Sequence, residues 1–346
     1  MNMQDTPSKQ YAHPVVRQEW LDLHTEPILE PELPIVDAHH HLWSRAHGTY
    51  ELPELRQDLG SGHNVVATIY IECGSRYRTD GPEALRPVGE TEFAAGVAAE
   101  HAQAGRQGSR VCAGIIGYAD LLQGGDVGHA LDAHIAAGKG HFKGIRNISA
   151  WHADPAARGS LAMPPPDLLL DRSFQEGFAC LGQRGLVFDA WLYHTQLQDL
   201  FQLASAFPET TIVLNHIGGP IGIGPYENRR QEVFAEWRAG MRKLAALPNM
   251  HMKLGGFGMR LFGFGFHERA TPPDSNQLAR SWRPYVEAVI EAFGADRCMF
   301  ESNFPVDKAM HSYATTWNAF KRLSANYCQA EKTALFSGTA SRVYKL

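Results

Sequence analysis

The sequence lacks the features that define nucleic-acid-binding, membrane-bound or secreted proteins. Its 346 residues contain 32 Lys and Arg against 37 Asp and Glu, a formal net charge of −5, so no basic excess attracts nucleic acid or anionic lipid. No run of 18 or more apolar residues is present, and residues 1–20 contain no apolar segment typical of a signal peptide. We therefore expect a cytoplasmic protein that binds neither nucleic acid nor a membrane.

Cysteine is also scarce, and its five copies are scattered without a CxxC pair, which indicates reduced thiols. There is no GxSxG motif, and no cysteine lies in a recognisable nucleophile motif, so covalent catalysis by serine or cysteine has no support. Histidine, by contrast, occurs 17 times. The chemistry is therefore expected among the histidines.

Short apolar segments alternate along the chain with segments of helical periodicity. Eight apolar segments are rich in β-branched or aromatic residues and are bounded by Gly, Pro, Asn or Asp, as is typical of parallel strands buried on both faces. They span residues 33–43, 65–73, 111–120, 141–149, 186–194, 211–218, 250–256 and 298–304. Helical spacing is found in residues 90–105, 127–138, 173–185, 195–207, 229–247, 281–294 and 315–328.

This alternation predicts an α/β fold, a (β/α)8 TIM barrel formed by residues 34–346 as a single domain. Residues 1–33 are polar and contain proline, so we expect an N-terminal arm there. A doubly wound open sheet is the alternative. That fold favours a Gly-rich phosphate-binding turn after an early strand, and none follows the first two predicted strands.

The most specific motif is Asp37-Ala38-His39-His40-His41 at the end of the first predicted strand. Side chains alternate along a strand, so Asp37, His39 and His41 are expected on one face and His40 on the other. Two imidazoles at the C-terminal end of a barrel strand are suited to hold a divalent metal such as zinc. The alternative is a polar strand end with no further role.

Two further histidines end predicted strands: His194 ends the fifth and His216 the sixth. Active sites of TIM barrels lie at this end of the strands, so four histidines there favour one shared site over separate structural roles. Imidazole is suited to the task because it binds borderline metals and exchanges protons near pH 7.

Six segments in order resemble the amidohydrolase superfamily, in particular its lactonase-like branch, which includes 2-pyrone-4,6-dicarboxylate lactonase and the rhamnono- and fucono-lactonases. The segments are DAHHHLW, FKGIRN, FDAWLYHTQL, FPETTIVLNHIGGP, NMHMKL and CMFESNFPVD. The resemblance covers residue 34 to the C-terminus and implies a (β/α)8 barrel. It implies His39, His41 and His194 as metal ligands, with His216 positioning or polarising a substrate carbonyl.

The eighth strand departs from the family pattern. Relatives usually have GSDWP there, whereas this chain has Glu301-Ser302-Asn303-Phe304-Pro305, so Asn303 occupies the position of the family's catalytic Asp. An amide is a poor base and a weak ligand. Glu301 or Asp307 is therefore expected to replace that base. The alternative for Glu301 is a buried structural partner of Arg146 or another cation.

Other departures replace family acid or base positions with amides, at Asn147 and Asn215. Arg146 persists and is expected to hold a substrate carboxylate, or else to form a salt bridge in the barrel wall. Glu72 and Arg76, near the end of the second strand, are further candidates for the substrate site. The Gly- and Phe-rich segment 255–266 follows a strand, and its phenylalanines either pack together or cover the substrate as an apolar lid.

Together these features predict a hydrolase of a small, carboxylated cyclic ester. The branch includes both metal-dependent and metal-independent enzymes, so zinc, manganese or no metal at all is compatible with the resemblance. A decarboxylase of the same superfamily and a non-catalytic binder of a small ligand are the alternatives, both of which tolerate Asn303. A small molecule is the expected partner, and homo-oligomerisation is left open.

Overall fold

The computed structural model describes residues 14–46, 48–104, 108–159 and 162–346. The strands of the described residues are β1 (Ile35–His40), β2 (Trp43–Arg45), β3 (Gly48–Tyr50), β4 (Val65–Ile71), β5 (Arg110–Gly117), β6 (Phe142–Ile148), β7 (Val187–Trp191), β8 (Ile212–Leu214), β9 (Met250–Leu254) and β10 (Cys298–Phe300). Eight of them form one parallel sheet in the order β1-β4-β5-β6-β7-β8-β9-β10. Each predicted apolar segment overlaps one of these eight strands, and only β5 extends beyond its segment, by one residue at Arg110, so the predicted barrel is confirmed.

The sheet closes where the chain leaves β1 and β10. The Asn303 N–H donates to the His39 carbonyl (2.9 Å), and the His41 N–H donates to the Phe304 carbonyl (2.8 Å). These bonds bring the first and last barrel strands together. The short antiparallel hairpin of β2 and β3, which lies between β1 and β4, was not predicted.

Helices of the described residues surround the sheet. They are α1 (Gln18–Leu21), α2 (Leu52–Leu59), α3 (Val88–Gln103), α4 (Gly128–Ala137), α5 (Arg172–Gln183), α6 (Leu197–Ala206), α7 (Arg230–Ala245), α8 (Ser275–Phe293), α9 (Tyr313–Leu323), α10 (Gln329–Thr333) and α11 (Thr339–Val343). None of them is both long and apolar enough to span a lipid bilayer.

Helix α8 begins upstream of the predicted segment, which starts at Ser281. A capping box explains the difference. The Asp274 carboxylate accepts from the Gln277 N–H (2.7 Å), and the Gln277 side chain accepts from the Asp274 N–H (3.2 Å). Reciprocal caps of this kind satisfy two N–H groups that the first helical turn leaves without partners.

The N-terminal part of the chain, from residue 14 on, lies against the barrel. The Trp20 indole N–H donates to the Arg269 carbonyl (3.0 Å), and the Lys321 ammonium, on α9, donates to the Leu29 carbonyl (2.7 Å). The rest of the predicted arm, residues 1–13, lies outside the described residues.

The N-terminal half of the barrel is filled by apolar side chains. Val36, Val187 and Val213, each near the start of its strand, pack with Val343 and Tyr344 from the last helical turn. All five are buried. The end of the chain therefore forms the floor of the barrel and leaves its C-terminal half for polar side chains.

Candidate active site

His39 and His41 face each other at the end of β1. Their Nε2 atoms are 3.2 Å apart, and both rings are buried. His40 points away and contacts the Thr68 hydroxyl through Nε2 (2.9 Å). This arrangement follows the alternation expected for the HxH motif.

Asp37 departs from that alternation. Its carboxylate accepts from the Ser302 N–H (2.9 Å) and from the Tyr313 hydroxyl (2.9 Å), so it binds β1 to the segment after β10. The register of β1 against β4 shifts between Asp37 and His40, which explains why simple alternation places the residue on the wrong face. Burial raises the pKa of Asp37 to about 6.

Glu301 lies between His39 and His216. Its Oε1 atom accepts from the His216 backbone N–H (3.0 Å) and from the His216 Nδ1–H (2.8 Å). Its Oε2 atom is 2.9 Å from His39 Nδ1 and is buried without a hydrogen-bond donor among the described residues. The partners of Glu301 are therefore histidines, and the partner of Arg146 is a different carboxylate.

The hydrogen bonds define the tautomer of His41, and the tautomer of His39 is assigned from it. His41 Nδ1 is 2.8 Å from the Ile71 carbonyl, so it carries the proton and His41 Nε2 is an acceptor. We assign the proton of His39 to Nε2, which lies 3.2 Å from His41 Nε2 and can donate to it, so that His39 Nδ1 holds a lone pair. A lone pair and a carboxylate oxygen 2.9 Å apart leave a place for a proton or a cation between them.

Arg146 and Glu72 form a buried ion pair. The Arg146 Nε–H donates to Glu72 Oε1 (2.7 Å) and the Nη2–H to the Glu72 carbonyl (2.6 Å). The remaining nitrogen, Nη1, lies 3.4 Å from His39 Nε2. Most of the guanidinium thus forms a salt bridge in the barrel wall, which was the alternative to binding a substrate carboxylate. One N–H edge of the guanidinium faces the histidines.

A second buried ion pair lies beneath His39 and was missed from the sequence. The Lys253 ammonium, on β9, donates to Asp189 Oδ2 (2.6 Å), on β7, and lies 3.5 Å from His39 Nδ1. Both side chains are fully buried. A signal was present, because each is a charged residue inside an otherwise apolar strand segment.

The remaining predicted site residues lie around this cluster or away from it. His194 Nδ1 accepts from the Ile221 N–H (3.3 Å), and its ring packs edge-on against Tyr226. Its Nε2 atom is buried and has no hydrogen-bond partner among the described residues. Arg76 lies at the surface, paired with Glu51.

The side chains of Asn303 and Asp307 contact each other and not the rings of His39 or His216. The Asn303 amide donates to Asp307 Oδ1 (2.8 Å), and Asp307 Oδ2 accepts from the Gly258 N–H (2.8 Å). Burial raises the pKa of Asp307 well above its ordinary value. This carboxyl group holds the segment after β9 in place.

The imidazoles of the cluster are neutral near pH 7. Burial lowers the pKa of His39 and of His41 well below 6.5, and the charges of Lys253 and Arg146, respectively, lower it further. Burial also lowers the pKa of His216, despite the opposing effect of Glu301. Neutral imidazole is the form that accepts a proton or binds a metal.

Three of these side chains fit a divalent metal. The ligand atoms of His39, His216 and Glu301 all lie within 4.8 Å of one another, and Glu301 Oε2, which accepts no hydrogen bond among the described residues, is available as a ligand. Two neutral imidazoles and one carboxylate form a donor set common for zinc. This group includes His39 from the predicted ligands, whereas His41 and His194 lie outside it.

A cleft of about 960 Å³ opens at the barrel mouth. The segments that follow β6, β8 and β9 line it, and its basic side chains are Arg158, Arg230, Arg260 and His267. The histidine cluster does not line this cleft. The Gly- and Phe-rich segment 255–266 lies between the cleft and the histidine cluster. Its Gly256 is so close to His216 that a Cβ there would be 2.7 Å from the His216 ring.

The fold and this cluster define a barrel hydrolase in which histidines and a carboxylate meet at the C-terminal ends of the strands. A sequence model of the amidohydrolase family matches residues 36–346, and the chain belongs to that family. The family resemblance and the hydrolase class inferred from the sequence are therefore confirmed.

Individual relatives are similar over nearly their whole length. An uncharacterized protein, y4mH, from Sinorhizobium fredii is 32% identical over 337 residues, which cover 91% of this chain and 99% of the relative. An L-fucono-1,5-lactonase from Burkholderia multivorans is 26% identical over 323 residues, covering 90% and 96%. The crystal structure of an amidohydrolase from Burkholderia multivorans with bound zinc has a TM-score of 0.68 at 25% identity, covering 90% of this chain and 99% of that one.

Proposed function

We propose that the protein is a lactonase that opens a small cyclic ester with water, using Glu301 as the general base. The observation that carries this proposal is the Glu301 Oε2 atom, which is buried, has no hydrogen-bond donor among the described residues and lies 2.9 Å from His39 Nδ1. The similarity to an L-fucono-1,5-lactonase over 90% of the chain supports the same reaction class.

In the proposed reaction, Glu301 Oε2 accepts a proton from water as the water oxygen forms a bond to the ester carbonyl carbon. The Arg146 Nη1–H stabilises the negative charge that develops on the carbonyl oxygen. The ring C–O bond then breaks, and the proton held by Glu301 passes to the departing alcohol oxygen. The product is a hydroxy acid.

The neighbouring side chains keep the base in the required state. His216 fixes one oxygen of Glu301 with two hydrogen bonds and leaves the other oxygen free. His41 and the Ile71 carbonyl fix the tautomer of His39. If bound by His39, His216 and Glu301, a divalent metal such as zinc would lower the pKa of water and polarise the carbonyl.

We propose a carboxylated lactone as the substrate. Three arginines line the cleft at the mouth, beside Glu227 and Glu268, and Arg146 lies beside His39 on the other side of segment 255–266. Guanidinium groups recognise carboxylates by paired hydrogen bonds. The predicted roles of His194, Glu72 and Arg76 stay proposals, with Glu72 acting through Arg146.

The alternative of a decarboxylase drew support from Asn303, which removes the family's base. Glu301 restores a carboxylate to the cluster, so that argument no longer favours decarboxylation over hydrolysis. A panel of aromatic acids assayed for carbon dioxide release separates the two reactions.

The test is hydrolysis of a lactone panel that includes L-fucono-1,5-lactone and carboxylated lactones, followed by acid release. His39→Gln is expected to lower kcat about 100-fold or more, because it removes the imidazole beside Glu301. The matched control is His40→Gln, which changes an equally buried neighbour that points away from the cluster. Absence of turnover on every lactone, or equal loss in both variants, would overturn the proposal.

A further inference from the structure

The buried ion pair beneath His39 has a third member, Tyr344, from the last turn of the chain. The Tyr344 hydroxyl donates to Asp189 Oδ1 (2.9 Å), and the Lys253 ammonium lies 5.3 Å from the centre of the Tyr344 ring. Tyr344 is fully buried within the floor of the barrel. A segment far from the barrel mouth thus contacts an ion pair that contacts the histidine cluster.

The two oxygens of Asp189 have separate partners. Oδ2 accepts from the Lys253 ammonium (2.6 Å) and from the Asn215 amide (2.9 Å), whereas the Tyr344 hydroxyl is the donor to Oδ1 among the described residues. A carboxylate held at only one oxygen is free to turn about its last side-chain bond. The Tyr344 hydroxyl therefore fixes the plane of the carboxylate, and with it the position of the ammonium group.

The position of Lys253 matters because its ammonium is 3.5 Å from His39 Nδ1, the atom that Glu301 Oε2 approaches to 2.9 Å. A buried lysine has no water to compensate for a displaced counter-ion, so it follows the carboxylate that neutralises it. A displacement of the ammonium changes the surroundings of the reacting carboxylate.

We infer that Tyr344 is a positioning residue for the proposed hydrolysis, holding Lys253 against His39 through the Asp189 carboxylate. This inference rests on the proposed lactonase function. It assigns a role in turnover to the last helical turn, which contributes no atom to the barrel mouth.

The chain contains a matched control with the same three residue types. The Tyr50 hydroxyl donates to Asp58 (2.7 Å), which accepts from the Lys308 ammonium (2.7 Å), and that ammonium lies 5.4 Å from the centre of the Tyr50 ring. Both tyrosines are buried. Tyr50→Phe and Tyr344→Phe therefore remove the same group from the same kind of network, and only the second network contacts a histidine of the cluster.

The experiment measures kcat, KM and the melting temperature of both variants on a lactone that the native enzyme hydrolyses. Tyr344→Phe is expected to lower kcat about 10-fold with KM changed less than about 2-fold, because the reacting groups are misplaced while the substrate cleft is intact. Tyr50→Phe is expected to change the melting temperature by about as much as Tyr344→Phe does. It is expected to leave kcat within about 2-fold of the native value.

A double variant shows whether Tyr344 acts through Lys253. In a Lys253→Met background, which itself lowers kcat, Tyr344→Phe is expected to cause no further loss. Multiplicative losses in the double variant, a native kcat in Tyr344→Phe, or equal losses of kcat in both tyrosine variants would overturn the inference. If the native protein opens no lactone at all, the proposed function itself fails, which is a different result.

Discussion

Replacing Glu301 with glutamine separates the catalytic from the structural role of this side chain. A glutamine in the same rotamer keeps a carbonyl oxygen to accept the two hydrogen bonds from His216. Its NH2 group takes the place of Oε2, which is 2.9 Å from the His39 Nδ1 lone pair. The amide therefore donates a hydrogen bond where the native protein has a buried acceptor that no donor of the described residues reaches.

The two expected effects have opposite signs. Relieving a buried unsatisfied group is worth about 1–3 kcal/mol, so Glu301→Gln is expected to increase the free energy of unfolding by that order. Loss of a general base lowers the rate about 10²- to 10⁴-fold. The protein becomes more stable and nearly inactive, as expected of a site in which an unpaired group is retained for chemistry.

The assay pairs urea unfolding at pH 7.5 with lactone hydrolysis on the same preparations. Asp58→Asn is the control for loss of a buried carboxylate, since Asp58 is saturated by Lys308 and Tyr50. It is expected to be destabilised and to retain kcat. A Glu301→Gln protein that is less stable than the native form would refute the reasoning, because it would show that His39 Nδ1 carries a proton and donates it to Glu301.

Two further predictions concern pH and the glycine next to His216. Burial lowers the pKa of His40 and of His311 to about 3 from about 6.5, so the unfolded chain binds more protons between these values and stability falls as the solution is acidified. Acidification from pH 7 to pH 5 is expected to lower the free energy of unfolding by about 2 kcal/mol for each of these two histidines. Asp37, with its pKa raised to about 6, offsets this loss by about 1 kcal/mol. Urea unfolding at the two pH values measures the net loss, and equal stabilities would contradict the neutral, buried state of these rings. Gly256 has a φ of 73°, and a Cβ there would be 2.7 Å from the His216 ring. Gly256→Ala is therefore expected to destabilise the protein by about 1–3 kcal/mol and to lower kcat by displacing His216. Gly96→Ala is its control, since a Cβ there meets no atom within 4 Å, and a native kcat in Gly256→Ala would show that His216 tolerates displacement.

The sequence was sufficient to predict the barrel, because each strand is an apolar segment whose character does not depend on its neighbours. It also predicted the pairing of His39 with His41, since two residues of one strand are related by a local rule. Glu301 was identified as a candidate, but only as one of two replacements for the missing Asp.

The contacts across the barrel interior could not be predicted in this way. Lys253 and Asp189 come from β9 and β7, which are separated by β8 in the sheet, so their contact crosses an intervening strand and follows from no local sequence rule. The pairing of Arg146 with Glu72 instead of Glu301 has the same origin. His194 has the sequence position of a ligand, but the turn after β7 directs its ring towards Tyr226.

The backbone bonds between the segments after β1 and β10 have a consequence for how activity arises during folding. His39 and Glu301 belong to opposite ends of the chain, and a neighbouring hydrogen bond, from Ser302 to Asp37, spans 265 residues. A nascent or truncated polypeptide without its final quarter has no means of assembling the reacting pair. Turnover can therefore serve as a measure of closure of the barrel between β1 and β10. If the chain is divided in a surface loop, the two separately expressed fragments are expected to gain activity only when they reassemble.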